Sequence, residues 1–167
     1  MSSGATCGRI EVSEYPQSWA GPSKALTPEE LAEHHALSTL CKTYALGMDL
    51  RDFDLVSSAF AGDAMVQGND GLEPFRESMS ATFAFASSFK STQHLIGQQY
   101  VEVDGDAAIV WSYGVAHHKV ATSEDRDEII AGVQYRDKCK RFEQGWLIVE
   151  RSVHNLWVDM QPRASKM

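Results

Sequence analysis

Cysteine is scarce in this chain: Cys7, Cys41 and Cys139 are too few and too irregularly spaced for a disulfide framework or a zinc site. That usage suits a reducing cytosol, so the expected localisation is cytoplasmic. Basic charge is also short, with 15 Lys and Arg against 23 Asp and Glu and a formal net charge of -8. Nucleic acid or an anionic membrane surface would require a basic face, so neither is an expected partner. No segment reaches the roughly 18 apolar residues of a membrane span, and the first 24 residues lack a basic stretch followed by an apolar run. Internal repeats, low-complexity tracts and inter-domain linkers are missing. The six histidines show neither HxH nor HExxH spacing, so no metal and no cofactor is expected.

What is present is an ordinary globular composition, 43% apolar over 167 residues, enough for one domain with a core and a pocket. Residues 1–24 read as a loosely structured arm, 25–160 as the domain and 161–167 as a tail. Thr27-Pro28-Glu29-Glu30 combines an N-cap threonine, a proline in the first turn and a glutamate three residues on, which starts a helix. Leu31, His34, Leu37, Cys41, Tyr44, Ala45 and Met48 recur at three and four, so this helix should bury one face and run to about Gly47. A short helix from about Asp52 to Ala59 follows. Gly62 and Asp63 then predict a turn before a strand at Met65-Val66-Gln67, with a further turn at Asn69-Asp70-Gly71. Glu73-Pro74-Phe75 opens a third helix with an apolar stripe through Phe75, Met79 and Phe83, ending near Phe89.

The period then changes. Residues 93–103, 107–120, 128–142 and 146–158 are long runs rich in Val, Ile, Tyr and Trp, separated by turns at Asp104-Gly105-Asp106 and Glu143-Gln144-Gly145 and a looser loop over 121–127. Helices first and an antiparallel meander afterwards is an α+β pattern. Such long strands imply a curved sheet, closed by the helices into a cone with an interior cavity. One side of that sheet would still need covering, so a homo-oligomer, dimer or trimer, is expected.

Two stretches carry a more specific signal: Met48-Asp49 with Arg51-Asp52-Phe53 at the end of the first helix, and Gln93-His94-Leu95-Ile96-Gly97 opening a strand. With Phe60-Ala61-Gly62-Asp63-Ala64 and the Gln144-Gly145-Trp146 hairpin, they give the chain, over about residues 30–160, a resemblance to the nuclear transport factor 2-like superfamily. Within it the chain resembles the SnoaL-like proteins that include scytalone dehydratase, hexachlorocyclohexane dehydrochlorinase and bile-acid 7α-dehydratase. The resemblance implies a cone-shaped curved antiparallel sheet covered by N-terminal helices, the cystatin-like α+β barrel. It also implies a site: His94 as general base and Asp49 as the carboxylate that orients it, with Tyr44 or His118 assisting a leaving group. The chemistry is sound, because a carboxylate on one ring nitrogen fixes the tautomer and raises the basicity of the other.

Met48, Phe53, Trp111, Tyr113 and Tyr135 are the expected pocket lining. Alternation along a strand allows only one of His117 and His118 to face the cavity. Met48 and Gly68 stand where scytalone dehydratase has two tyrosines, which argues against that enzyme's own substrate. The function expected is a lyase of the dehydratase type, acting on a small apolar cyclic, polyketide, steroid or terpenoid-like substrate. An isomerase or cyclase with the same residues, and a non-catalytic assembly subunit such as the β-subunit of a ring-hydroxylating dioxygenase, are the alternatives.

Overall fold

The computed structural model describes residues 24–68, 71–120 and 126–162. In chain order the elements are α1 (Pro28–Leu50), α2 (Phe53–Ser57), β1 (Phe60–Gly68), β2 (Gly71–Pro74), α3 (Phe75–Ser87), β3 (Phe89–Asp104), β4 (Ala107–Val120), β5 (Arg126–Phe142) and β6 (Gly145–Pro162). The six strands form one curved sheet in the order β2-β1-β6-β5-β4-β3, all neighbours antiparallel except β1 with β6. The sheet is not closed, since β2 and β3 are its two edges. The three helices cover one face, and no helix among the described residues is long and apolar enough to cross a membrane. The expected arm, 1–24, lies outside the described residues apart from Lys24, as do most of the expected tail and of the 121–127 loop.

α1 begins as its sequence requires. The Thr27 hydroxyl accepts from the Glu30 N–H while the Glu30 carboxylate accepts from the Thr27 N–H, a complete capping box. The helix continues three residues beyond the expected Gly47 and buries Leu37, Cys41, Tyr44, Ala45, Gly47 and Met48. Leu31, expected on the buried face, is exposed, and the buried face of α1 begins only at Leu37. The helix ends in a Schellman pair: Asp52 N–H bonds Gly47 O at 2.8 Å and Arg51 N–H bonds Met48 O at 3.3 Å. The left-handed residue that this motif needs is Arg51, at φ 60°, where glycine is usual.

Gly47 sits where α2 folds back against α1. A Cβ there would meet Val56 Cγ2 at 2.6 Å and the Val56 backbone nitrogen at 2.8 Å. Backbone cannot yield as a side-chain tip can, so Gly47→Ala should cost about 1–3 kcal/mol, read as a lower urea midpoint at unchanged slope.

Two sequence expectations need correction. The turn expected at Gly62-Asp63 is instead part of β1, whose register with β6 shifts between Phe60 and Met65, so the polar residues bend a strand without ending it. β2 has no counterpart in the sequence reading because four residues, Gly71–Pro74, are too short to show alternation. β4 begins and ends as expected, and the 145–162 and 126–142 strands extend past their apolar stretches because antiparallel neighbours carry them.

Candidate active site

Parity along β4 sets the site. Ala108, Val110, Ser112 and Ala116 are buried under the helices, and His118 continues their side; His117 points the other way, where its Nδ1 pairs with Glu128 at 2.8 Å. On β3, His94 is paired with Ala116 and Thr92 with His118, so these side chains share the helix-covered face. The end of α1 lies directly over them and delivers Asp49.

Asp49 is held by three donors. Its Oδ1 lies 2.7 Å from His94 Nδ1 and accepts from Thr92 Oγ1 at 3.0 Å, while Oδ2 accepts from the His94 backbone N–H at 2.8 Å. An ionised carboxylate can only accept, so His94 Nδ1 must carry a proton and Nε2 is left as the free ring nitrogen. Both side chains remain in touch with solvent, with relative exposures of 9% for His94 and 22% for Asp49.

A row of rings leads outward and inward from this pair. His118 lies 5.9 Å from His94 between ring centres, Phe89 lies 4.8 Å from His118, and Phe85, 59% exposed on α3, lies 4.9 Å from Phe89. In the other direction Tyr44 lies 6.5 Å from His94 and 5.7 Å from Tyr135. Burial, followed by the neighbouring His94, holds His118 below the usual histidine range, so its ring is neutral at pH 7. Its Nδ1 is buried with no hydrogen-bond partner among the described residues. Burial pushes the Tyr44 phenol up, against the pull of Arg151, so it stays protonated and can only donate or accept as a neutral hydroxyl.

The depressed His118 has a stability consequence. Its unfolded value is near 6.5 and its folded value lower, so the folded state binds fewer protons in the window between them. Stability from this group is therefore complete above pH 6.5 and falls as the solution is acidified toward the folded value. His118→Asn should flatten part of the melting-temperature decline between neutral pH and that window; an unaltered pH profile would contradict the assignment.

Beneath the rings lies a buried ion pair that the sequence reading missed. Arg151 on β6 and Asp137 on β5 form a bidentate pair at 2.6 and 2.7 Å, each side chain only 1% exposed. The guanidinium also lies 4.3 Å from the centre of the Tyr44 ring and 4.8 Å from that of Tyr135. The sequence did hold a signal: Asp137 and Arg151 have the inward parity of Tyr135 and Cys139 on β5 and of Val153 on β6. Thr92 and Arg51 were likewise not assigned any role, although Thr92 lies two residues from His94 on the same face.

The expected pocket residues are dispersed. Tyr135 lies next to Tyr44, but both are core residues packed around Arg151. Met48 is buried in the same core, and Phe53 packs against the tilted ring of Phe75 and edge-on against Phe83, both on α3. Trp111 and Tyr113 have the parity of His117 and lie on the sheet face away from the helices. Arg136 covers Trp111, and Tyr113 lines a groove of about 320 Å³ there with Leu95 and Trp157. Tyr44, Tyr135 and the Arg151–Asp137 pair are all buried, whereas Asp49 and His94 keep some contact with solvent.

Known structures share this architecture. A Novosphingobium aromaticivorans protein provisionally assigned as a scytalone dehydratase superposes with a TM-score of 0.70 at 18% identity, over 85% of this chain and 100% of that one. The hexachlorocyclohexane dehydrochlorinase LinA-type3 of Novosphingobium barchaimii gives 0.68 at 17% identity, over 83% and 94%. Rv3472, a Mycobacterium tuberculosis protein of unknown function, gives 0.66 at 24% identity, over 79% and 78%. Likeness at this level of identity speaks for the fold. No curated protein matches the chain. A family profile described as SnoaL-like domain matches residues 29–152, from the first turn of α1 into β6, and the chain belongs to the SnoaL-like family.

Proposed function

We propose that this protein is a lyase that needs no cofactor and carries out a β-elimination of the dehydratase type, with His94 as general base. The observation that carries the reading is the 2.7 Å contact between Asp49 Oδ1 and His94 Nδ1, in a setting where every other group on the carboxylate is a donor. His94 Nε2 takes a proton from the carbon next to an activating carbonyl. The C–H electron pair becomes the new C=C bond as the β-carbon–oxygen bond breaks. The departing hydroxyl takes that proton back from the His94 imidazolium and leaves as water, which regenerates the neutral base, while the neutral His118, 5.9 Å from His94 between ring centres, offers the leaving oxygen a hydrogen bond. Asp49 stays ionised and offsets the imidazolium charge while it exists.

Substrate class follows from the surroundings of the pair. The rings of His118, Phe89 and Phe85 follow one another outward from His94, and Phe85 at the end of the row is exposed. Large apolar groups exposed beside a base favour an apolar ring with few polar groups. The structural likeness to a dehydrochlorinase and to a protein assigned as a dehydratase supports elimination over other uses of the same residues. The test is to offer cyclic β-hydroxy ketones and follow the ultraviolet absorbance of the conjugated enone, with product mass as a second reading. Loss of one water supports the proposal. A product of unchanged mass would make the protein an isomerase, and no turnover by wild type across the panel, with no binding, would remove the enzymatic reading.

A further inference from the structure

Arg51 is held in a conformation that costs it free energy and is placed where its side chain reaches the site. A non-glycine residue at φ 60° is disfavoured and persists only where its surroundings require it. A glycine would serve the Schellman turn better, so the turn alone does not account for an arginine. The guanidinium does more. Nη1 donates to Met48 O at 2.5 Å and to Thr92 Oγ1 at 2.7 Å, and Nη2 donates to Ala86 O at 2.9 Å. One side chain therefore ties the last turn of α1, the last turn of α3 and the start of β3 together under Asp49.

The contact with Thr92 has a fixed direction. A guanidinium has donors and no acceptor, and a hydroxyl has a single proton. Because Arg51 donates to Thr92 Oγ1, the Thr92 proton must go to its other neighbour, Asp49 Oδ1, at 3.0 Å. Oδ1 then receives Thr92 O–H and His94 Nδ1–H together, so the carboxylate is pinned edge-on to the imidazole and kept as a pure acceptor. We propose that Arg51 and Thr92 are a positioning pair: Arg51 orients the Thr92 hydroxyl, and that hydroxyl locks Asp49 so that His94 keeps its proton on Nδ1. Neither residue touches substrate. The inference rests on the Asp49–His94 reading above and adds the two residues that hold it.

The test uses the full chain and the exchange of the His94 Nδ1–H proton with water, read by proton NMR on ¹⁵N-histidine-labelled protein. A hydrogen bond to a charged group is lost in Thr92→Val, so exchange should accelerate about tenfold or more. Thr92→Ser keeps a hydroxyl and should retain the wild-type rate. Arg51→Gly satisfies the left-handed turn while removing the orienting guanidinium, so it should accelerate exchange as Thr92→Val does. Adding Arg51→Gly to Thr92→Val should bring no further acceleration, because both act through one hydroxyl. Wild-type exchange in Thr92→Val, or full additivity of the two changes, would overturn the pair. Should Thr92→Val fail to fold, the Arg51→Gly and Thr92→Ser rates decide the matter in the same way. Asp49→Asn separates the two readings: if it abolishes the Nδ1–H signal while Thr92→Val leaves it untouched, the dyad stands and only the positioning pair falls.

Discussion

Asp49→Asn should lower turnover by about 10²- to 10⁴-fold, with little effect on stability. The direction follows from the three donors around the carboxylate. An asparagine brings one acceptor and one NH₂ donor, so one of those contacts must become donor against donor. The His94 backbone N–H cannot change its role, whereas the imidazole can move its proton and the Thr92 hydroxyl can rotate. The amide oxygen will therefore take the backbone N–H, and the NH₂ will face the ring. His94 Nδ1 then has to accept, its proton moves to Nε2, and the nitrogen that should abstract a proton no longer has a free lone pair. The shape of the site is preserved while its base is lost. Measurement of kcat for an elimination substrate in the two proteins checks this, and comparable values would remove His94 from the base role.

The second large effect concerns folding. Asp137→Ala leaves the Arg151 guanidinium without its anion at a position that is almost entirely closed to water. Breaking a buried pair by removing one partner costs about 3–5 kcal/mol, most of it the desolvation of the charge left behind. The aromatic rings around Arg151 offset only part of this, since a cation–π contact contributes about 2 kcal/mol when desolvated. Replacing both partners, as Arg151→Met with Asp137→Leu, removes the stranded charge and should recover much of the loss. Urea unfolding of the single and double variants decides between the two accounts. If the single variant loses less than about 1 kcal/mol, water or a neighbouring group solvates Arg151 and the pair is not a closed one. If the double variant is as damaged as the single, packing volume rather than charge is what matters there.

These two effects lie at different depths, and their legibility in the sequence differs for the same reason. The ends of elements were readable wherever a local rule sets them. Thr27 to Glu30 carries its own cap, and Asp104-Gly105-Asp106 is a hairpin turn whatever surrounds it. The family resemblance placed Asp49 and His94 as candidates, and the structure brings them within 2.7 Å. What could not be read is whatever depends on pairing between distant strands. The parallel pairing of β1 with β6 has no local signature, and without it nothing places Arg151 under Tyr44.

One misplacement was avoidable in principle. Once His118 is put on the helix-covered face, Trp111 and Tyr113 fall on the opposite face by parity alone. The attraction of aromatic residues as pocket lining ran against that rule. Met48 lies in the core and Phe53 packs against Phe75 and Phe83, contacts set by how α1, α2 and α3 meet and so without a local signature in the sequence.

The arrangement rests on one protonation state, and nitrogen NMR of His94 reads it without any knowledge of the substrate. In wild type at neutral pH Nδ1 should be protonated and Nε2 unprotonated, and in Asp49→Asn the reverse. Wild-type protein with its proton on Nε2 would contradict it, because Asp49 would then lack the donor that the 2.7 Å contact requires and His94 would have no lone pair to offer.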